Sequence, residues 1–314
     1  MSVYTRLTKE ELEQLLTRFD IGKYVHIEGI NEGITNSNFY LTTTSGKYIL
    51  TIFEDPELNL NYAIELMGVL SKNHIPCPTP LETKDGECIL NFQNKPLTIF
   101  TLLPGKTLSN KKPTRKMCIQ IGEILGKIHL YSKKYNSYNE GLRESNWFQK
   151  TANKLEPYLD KKDNILISKE IQNQILCTNK DLPSGIIHSD LFRDNAMFIK
   201  EDLTGVIDFY YSCNGYYLYD IAIVVNDWCL NNDFSIDIEM QDALLKSYDQ
   251  IRKIELNEKN IWQQVLRHAA LRFWLSRLHD KFFPTDGEIT HQLDPDKFKK
   301  ILLDRRNNTY EIKI

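Results

Sequence analysis

A short stretch of the chain has the residue types and spacing that phosphoryl transfer from ATP requires. In IIHSDLFRDNAMF, residues 186–198, His188, Asp190 and Asn195 fit the pattern H-x-D-x-x-x-x-N. Asp208 follows in the apolar segment GVIDF, residues 205–209. The reaction needs a carboxylate that orients the attacking hydroxyl and takes its proton, and oxygen ligands that hold magnesium on the triphosphate. Asp190 suits the first task; an amide and a second carboxylate, Asn195 and Asp208, suit the second. The H-x-D-x-x-x-x-N pattern alone arises by chance roughly 0.04 times per shuffled chain of this composition. The plainer alternative is a core histidine beside turn-capping aspartates. It does not account for short apolar strands that carry the polar residues into one place.

The elements that must position these groups can be read from periodicity. Residues 8–19 form an amphipathic helix pattern with Leu12, Leu15, Leu16 and Phe19 on one face, and Thr8 with Glu11 makes a capping box. Strand patterns cover about 24–32, 38–44 and 47–53, the last two joined by a tight turn at Ser45-Gly46. Asp55-Pro56 opens a helix reaching about Lys72, and the segment IPCPTP stops it. Two further strands fall at 88–91 and 97–102. Beyond Pro104 helical patterns dominate, at 114–131, 147–159, 165–177, 217–230, 237–251 and 260–281. Only the short β-type pieces at 186–187, 196–199 and 204–207 interrupt them. A small β-rich lobe, residues 1–103, therefore precedes a larger, mostly helical lobe, residues 104–314.

Composition excludes several other classes. The 314 residues carry 39 Lys plus Arg against 42 Asp plus Glu, a formal charge of −3, so no global field draws the chain to nucleic acid or anionic membrane. The longest apolar run, residues 221–225, is far shorter than the roughly 20 residues a membrane-spanning helix needs. Six scattered cysteines without a CxxC pair argue against zinc or disulfide scaffolds and for reduced thiols in the cytoplasm. Gly105-Lys106-Thr107 ends like a Walker A motif, but its first glycine is replaced by Phe100, so a loop is expected there. The hairpin Glu32–Asn38, between two strand patterns, is the other candidate cradle: its backbone amides can lie over phosphates, with a plain hairpin turn as the alternative.

Nearly end to end, the chain resembles the aminoglycoside-phosphotransferase and choline-kinase group of protein-kinase-like small-molecule kinases, and within it the bacterial homoserine kinases. The strings that carry the resemblance are GITNSNFYLTTTSGKYILTIFE, IPCPTP, LLPG, IHSDLFRDN, GVIDFYYSCN, YDIAIVVNDWC and LRFWLSRLHD. The resemblance implies an α+β, two-lobed protein-kinase-like fold, with nucleotide bound by residues 1–103 and catalysis and acceptor binding in residues 104–314. It implies Asp190 as catalytic base, Asn195 and Asp208 as Mg2+ ligands and His188 as support for the loop. Gly33, Thr35, Asn36, Ser37 and Asn38 would lie over the phosphates of ATP, and Thr101, Leu102 and Leu103 would meet adenine. Arg193 could stabilise the transferring group or pair with a neighbour such as Asp194. One departure stands out: the third-strand position that usually carries lysine is Thr51, which leaves Glu65 in the following helix without its partner. Lys47, Arg193, or magnesium with the hairpin amides could take that lysine's place.

An L-homoserine acceptor offers a hydroxyl, an ammonium and a carboxylate, and no nucleic acid or membrane partner is expected. Its carboxylate calls for arginine and its ammonium for an acid. Arg272 and Arg277 are the candidate cations, with helix-surface ion pairs as the alternative. Asp227 beside Trp228 is the candidate acid, and Tyr210 the candidate wall. Phe273 and Trp274 fit a helix core instead. Oligomeric state is not legible in the sequence.

Overall fold

The computed structural model describes residues 5–30, 36–108, 111–141, 145–175, 181–284 and 293–314. The N-terminal part is built on a five-stranded antiparallel sheet in the order β1-β2-β3-β5-β4. Its strands are β1 (Tyr24–Gly29), β2 (Ser37–Thr43), β3 (Gly46–Ile52), β4 (Leu90–Phe92) and β5 (Lys95–Thr101). In β2 burial alternates, as expected of a sheet with one face on a core. Helix α1 (Lys9–Leu16) lays Leu12 and Leu16 on that sheet, and both hydrogen bonds of the Thr8–Glu11 capping box are formed. These residues share one hydrophobic cluster that lies wholly within residues 12–99.

Helix α2 (Leu60–Lys72) starts later than Asp55-Pro56 suggested. The Asp55 carboxylate is used in a turn, accepting from the Glu57 N–H at 2.8 Å, and Asn59 takes over as N-cap by accepting from Tyr62. Its inward residues Leu66, Met67 and Leu70 belong to the larger core, which extends from Phe53 to Ile312. The chain crosses from sheet to helices near residue 103, but the apolar packing does not divide there. Gly105 turns the connection with φ +106°, and a Cβ there would meet the Phe198 carbonyl oxygen at 2.4 Å. Lys106–Thr107 is not a loop but a short strand, β6, paired with the strand that follows residues 188–195.

The C-terminal part contains α3 (Arg115–Tyr131), α4 (Ser145–Leu155), α5 (Lys161–Ile175), α6 (Tyr217–Trp228), α7 (Ile238–Ile251), α8 (Leu256–Asn260), α9 (Trp262–Phe282) and α10 (Pro295–Asn307). Helix α9 packs against α4, α5, α6 and α10, and α3 against α7. Between these helices lie β7 (Ser184–Ile187), β8 (Ala196–Ile199), β9 (Asp202–Val206) and β10 (Cys213–Tyr216). Strand β7 pairs with β10, and β8 lies between β6 and β9. These short ladders hold the 188–195 loop from both ends.

Candidate active site

The loop after β7 is fixed by its own backbone. Asp220, in the first turn of α6 and fully buried, accepts the N–H groups of His188 and Ser189, each at 2.8 Å. Ser189 sits in the left-handed region with φ 63°, and its hydroxyl donates to the Tyr211 carbonyl at 2.9 Å. A non-glycine residue held there stores strain that the surrounding hydrogen bonds must offset. The strained residue turns the chain so that Asp190 leaves the strand line.

Asp190, Asn195 and the segment carrying Asp208 are bound to one another. The Asn195 side-chain N–H groups donate to the Asp190 carbonyl at 2.8 Å and to its Oδ2 at 3.3 Å. The N–H of Ile207 donates to the Asn195 carbonyl at 3.0 Å, while His188 Nε2–H donates to the Ile207 carbonyl at 3.0 Å. His188 Nδ1 in turn accepts the Asp190 N–H at 3.3 Å. Burial keeps this imidazole below its usual pKa, so the neutral Nε2–H form fits both bonds. Asp208, next in the chain, is itself left-handed with φ 65°. Burial pushes its carboxyl up to about 7, and the nearby Asp190 and Asp194 charges add to the rise.

The flank of the loop is an ion-pair clamp. Arg193 gives its backbone N–H and its Nε–H to Asp227 Oδ2, both at 3.0 Å, and a further guanidinium N–H to the Lys111 carbonyl. Lys297 from α10 reaches the other oxygen of Asp227 at 2.8 Å. Burial alone would raise the Asp227 pKa, but Lys297 and Arg193 outweigh it and bring it down to about 2. Trp228 is buried and donates its indole N–H to the Leu191 carbonyl. The Arg193 guanidinium and the Asp227 carboxylate thus engage each other, and Asp194 is not the partner of Arg193. Arg272 is buried and donates to Asp190 Oδ1 at 3.4 Å. Arg277 instead donates to the Asp294 carbonyl and lies over the Phe298 ring. Tyr210 turns toward the N-terminal sheet, edge-on to Phe53 with ring centres 4.9 Å apart.

At the nucleotide end, Gly33 and Thr35 lie outside the described residues. Asn36 accepts the Glu54 N–H, and the Ser37 hydroxyl donates to the Glu54 carboxylate, which also holds Lys95. Asn38 accepts from the Thr51 hydroxyl at 2.8 Å. Glu65 accepts from the Tyr135 hydroxyl rather than from a cation. Lys47 is exposed at the turn end of β3, four residues from Thr51, which is about 13 Å of strand. Thr101 closes β5 against Thr79, and Leu102 and Leu103 follow as the half-buried connection between the two parts.

Residues 26–254 match the model of the phosphotransferase enzyme family. The chain belongs to that family. It is 39% identical over 303 residues to a homoserine kinase from Methylobacillus flagellatus, covering 96% of this chain and 94% of that protein. A homoserine kinase from Neisseria meningitidis is 37% identical, with 96% of this chain and 99% of that protein covered. Among solved structures, an amicoumacin kinase in complex with AMP-PNP and Ca2+ superposes with a TM-score of 0.71 at 16% identity, covering 96% of this chain and 93% of that one. A spectinomycin phosphotransferase in complex with ADP also reaches 0.71, at 13% identity, covering 95% and 94%. These likenesses carry the protein-kinase-like, two-lobed α+β fold expected from the sequence.

In a phosphotransferase the donor set at 195 and 208 suits a divalent cation. The amide N–H groups of Asn195 are spent on Asp190, which leaves its oxygen as a ligand atom, and Asp208 is a carboxylate whose ionisation wants a positive neighbour. Among the described residues no three His, Cys, Asp or Glu side chains are grouped to hold a metal unaided. That agrees with a magnesium that takes most of its ligands from water and phosphate. The sequence reading missed Asp220 and Lys297. Asp220 had a usable signal, a carboxylate inside the apolar run YDIAIVV, where an unpaired charge would be costly. Lys297 had none, because its relation to Asp227 exists only after folding.

Proposed function

We propose that the chain is an ATP-dependent kinase that phosphorylates the side-chain hydroxyl of L-homoserine. The observation that carries this reading is the Asp190–Asn195–Ile207 hydrogen-bond set, in a chain that is 39% identical to a homoserine kinase over nearly its whole length. Asp190 orients the acceptor hydroxyl and takes its proton as the oxygen attacks the γ-phosphorus; the bond to the bridging oxygen breaks and ADP leaves. Asn195 and Asp208 would hold Mg2+, which when bound neutralises charge on the phosphates. Arg193 serves the centre by fixing the loop through Asp227 rather than by touching phosphate. The segment containing Gly33, Thr35, Asn36, Ser37 and Asn38 would cover the phosphates, and Thr101, Leu102 and Leu103 would meet adenine.

We assign the acceptor to a small cavity beside the loop, where Arg272 and Ser189 meet Glu140, Tyr211 and Tyr219. Arg272 lines this cavity and also reaches Asp190, so a carboxylate bound to it brings a side-chain hydroxyl toward the base. Glu140 supplies the acid for the ammonium, a task for which Asp227 is already committed elsewhere. The test is ADP release, followed by a coupled assay, over L-homoserine, L-serine, choline, ethanolamine and an aminoglycoside. Homoserine-dependent release is expected to exceed the others. Folded protein that releases no ADP with homoserine would remove the substrate assignment, and a preference for choline or ethanolamine would move it to an amino alcohol.

A further inference from the structure

Asp220, which holds the catalytic loop, is the end of a longer buried chain of hydrogen bonds. Its Oδ2 lies 3.0 Å from His129 Nε2 on α3, and His129 Nδ1 lies 2.6 Å from the Tyr248 hydroxyl on α7. Arg252, where α7 ends, donates its Nε–H to the same hydroxyl. Its other two nitrogens grip the Glu258 carboxylate at 3.0 and 2.7 Å. His129, Tyr248, Asp220 and Glu258 are all fully buried, and Arg252 nearly so.

The direction of this chain follows from its far end. A guanidinium has donors only, so the Tyr248 oxygen accepts from Arg252 and its proton must go to another atom. That atom is His129 Nδ1, which leaves the imidazole proton on Nε2, facing Asp220. Burial keeps His129 neutral, and Arg252 and the stacked Tyr217 ring, with centroids 4.6 Å from the imidazole, enclose it. With the opposite tautomer, a lone pair would face the carboxylate and Asp220 would lose the donor that sets its orientation. Its two oxygens then would not be fixed for the His188 and Ser189 amides. Replacing a buried Arg–Glu pair with apolar groups is often neutral or stabilising, so stability alone gives little reason for Arg252 and Glu258.

We propose that Tyr248, Arg252 and Glu258 are positioning residues for phosphoryl transfer: they lock His129 as the Nε2–H tautomer and thereby fix Asp220 and the strained Ser189 turn that aims Asp190. This rests on the reading of Asp190 as the proton acceptor. The test is Tyr248→Phe in the full chain, with steady-state kinetics and 15N NMR of the histidine side chains, His129 being assigned by comparison with His129→Asn. We expect kcat to fall about 10- to 100-fold while both KM values stay within about twofold, because aim is lost and binding is not. The His129 nitrogens should move from a pure Nε2–H pattern toward a mixture. Arg252→Lys, which keeps the charge but loses the planar fork, should give the same split even if the phenylalanine variant folds poorly. Wild-type turnover per folded molecule in either variant overturns the inference, whatever the change in melting temperature. So does a lower kcat with the His129 tautomer unchanged. If wild-type protein shows no acceptor-dependent turnover, the transfer reading fails instead, a result the tautomer spectrum cannot produce.

Discussion

Asp190 receives an amide N–H from Asn195 and a guanidinium N–H from Arg272, so its two carboxylate oxygens are held from two sides. A base held this way has little freedom to turn from the acceptor, and its replacement should act on chemistry rather than on binding. Asp190→Asn keeps the shape but cannot take a proton, and its amide oxygen can accept from only one of the two donors, Asn195 and Arg272. Turnover is expected to drop about 10²- to 10⁴-fold, while nucleotide affinity, read by calorimetry, changes little; near-normal turnover would mean that another group is the base. Arg272→Lys tests the acceptor side. Loss of the planar fork should raise the KM for homoserine about 10- to 100-fold. The same substitution should matter much less for the analogue whose carboxylate is reduced to an alcohol. Equal losses on the two acceptors would show that Arg272 serves Asp190 and not the carboxylate.

At the scale of elements, the sequence was legible where a local rule decides. The capping box at Thr8–Glu11 and the paired strands either side of Thr44-Ser45 stand close to where periodicity put them. The start of α2 was not, because two side chains competed to cap it and Asp55 closed a turn four residues early. Strand β10 has no alternation to read: Cys213-Asn214-Gly215-Tyr216 is extended because β7 pairs with it. Helix α10 escaped notice because its charged sequence hides Phe298, Ile301 and Leu302, which face the core. With α10 went Lys297, and with Lys297 the true place of Asp227. Two glycines give opposite tests of element geometry. Gly105→Ala meets a backbone oxygen and an unfavourable φ, and should destabilise by about 1–3 kcal/mol in urea titration. Gly68→Ala, in α2 with nothing within 4 Å of the added carbon, should stabilise by about 0.5–1 kcal/mol. If both variants behave alike, the connection at 105 is looser than its contacts imply.

At the scale of the whole molecule, no helix among the described residues is long and apolar enough to cross a membrane. The polar groups buried between helices decide how the fold meets a change in pH. Three histidines matter most. His129 and His188 are buried around Asp220, and His268 on α9 lies between the Phe148 and Tyr219 rings. Burial lowers the pKa of all three, that of His268 to about 4 from an ordinary 6.5. At His268 the unfolded chain therefore binds a proton that the folded one refuses between pH 6.5 and 4. The stability this neutral imidazole contributes is complete above pH 6.5 and is lost as pH falls through that window, with a slope of about 1.4 kcal/mol per pH unit for the proton taken up. His268→Gln loses ring packing and should be less stable at pH 8, yet its stability should decline more gently between pH 6.5 and 4, by about one proton's slope. Denaturant titrations across that range measure both curves. Parallel curves would mean that His268 takes up its proton in the folded protein as readily as in the unfolded one, which its enclosure between the Phe148 and Tyr219 rings argues against.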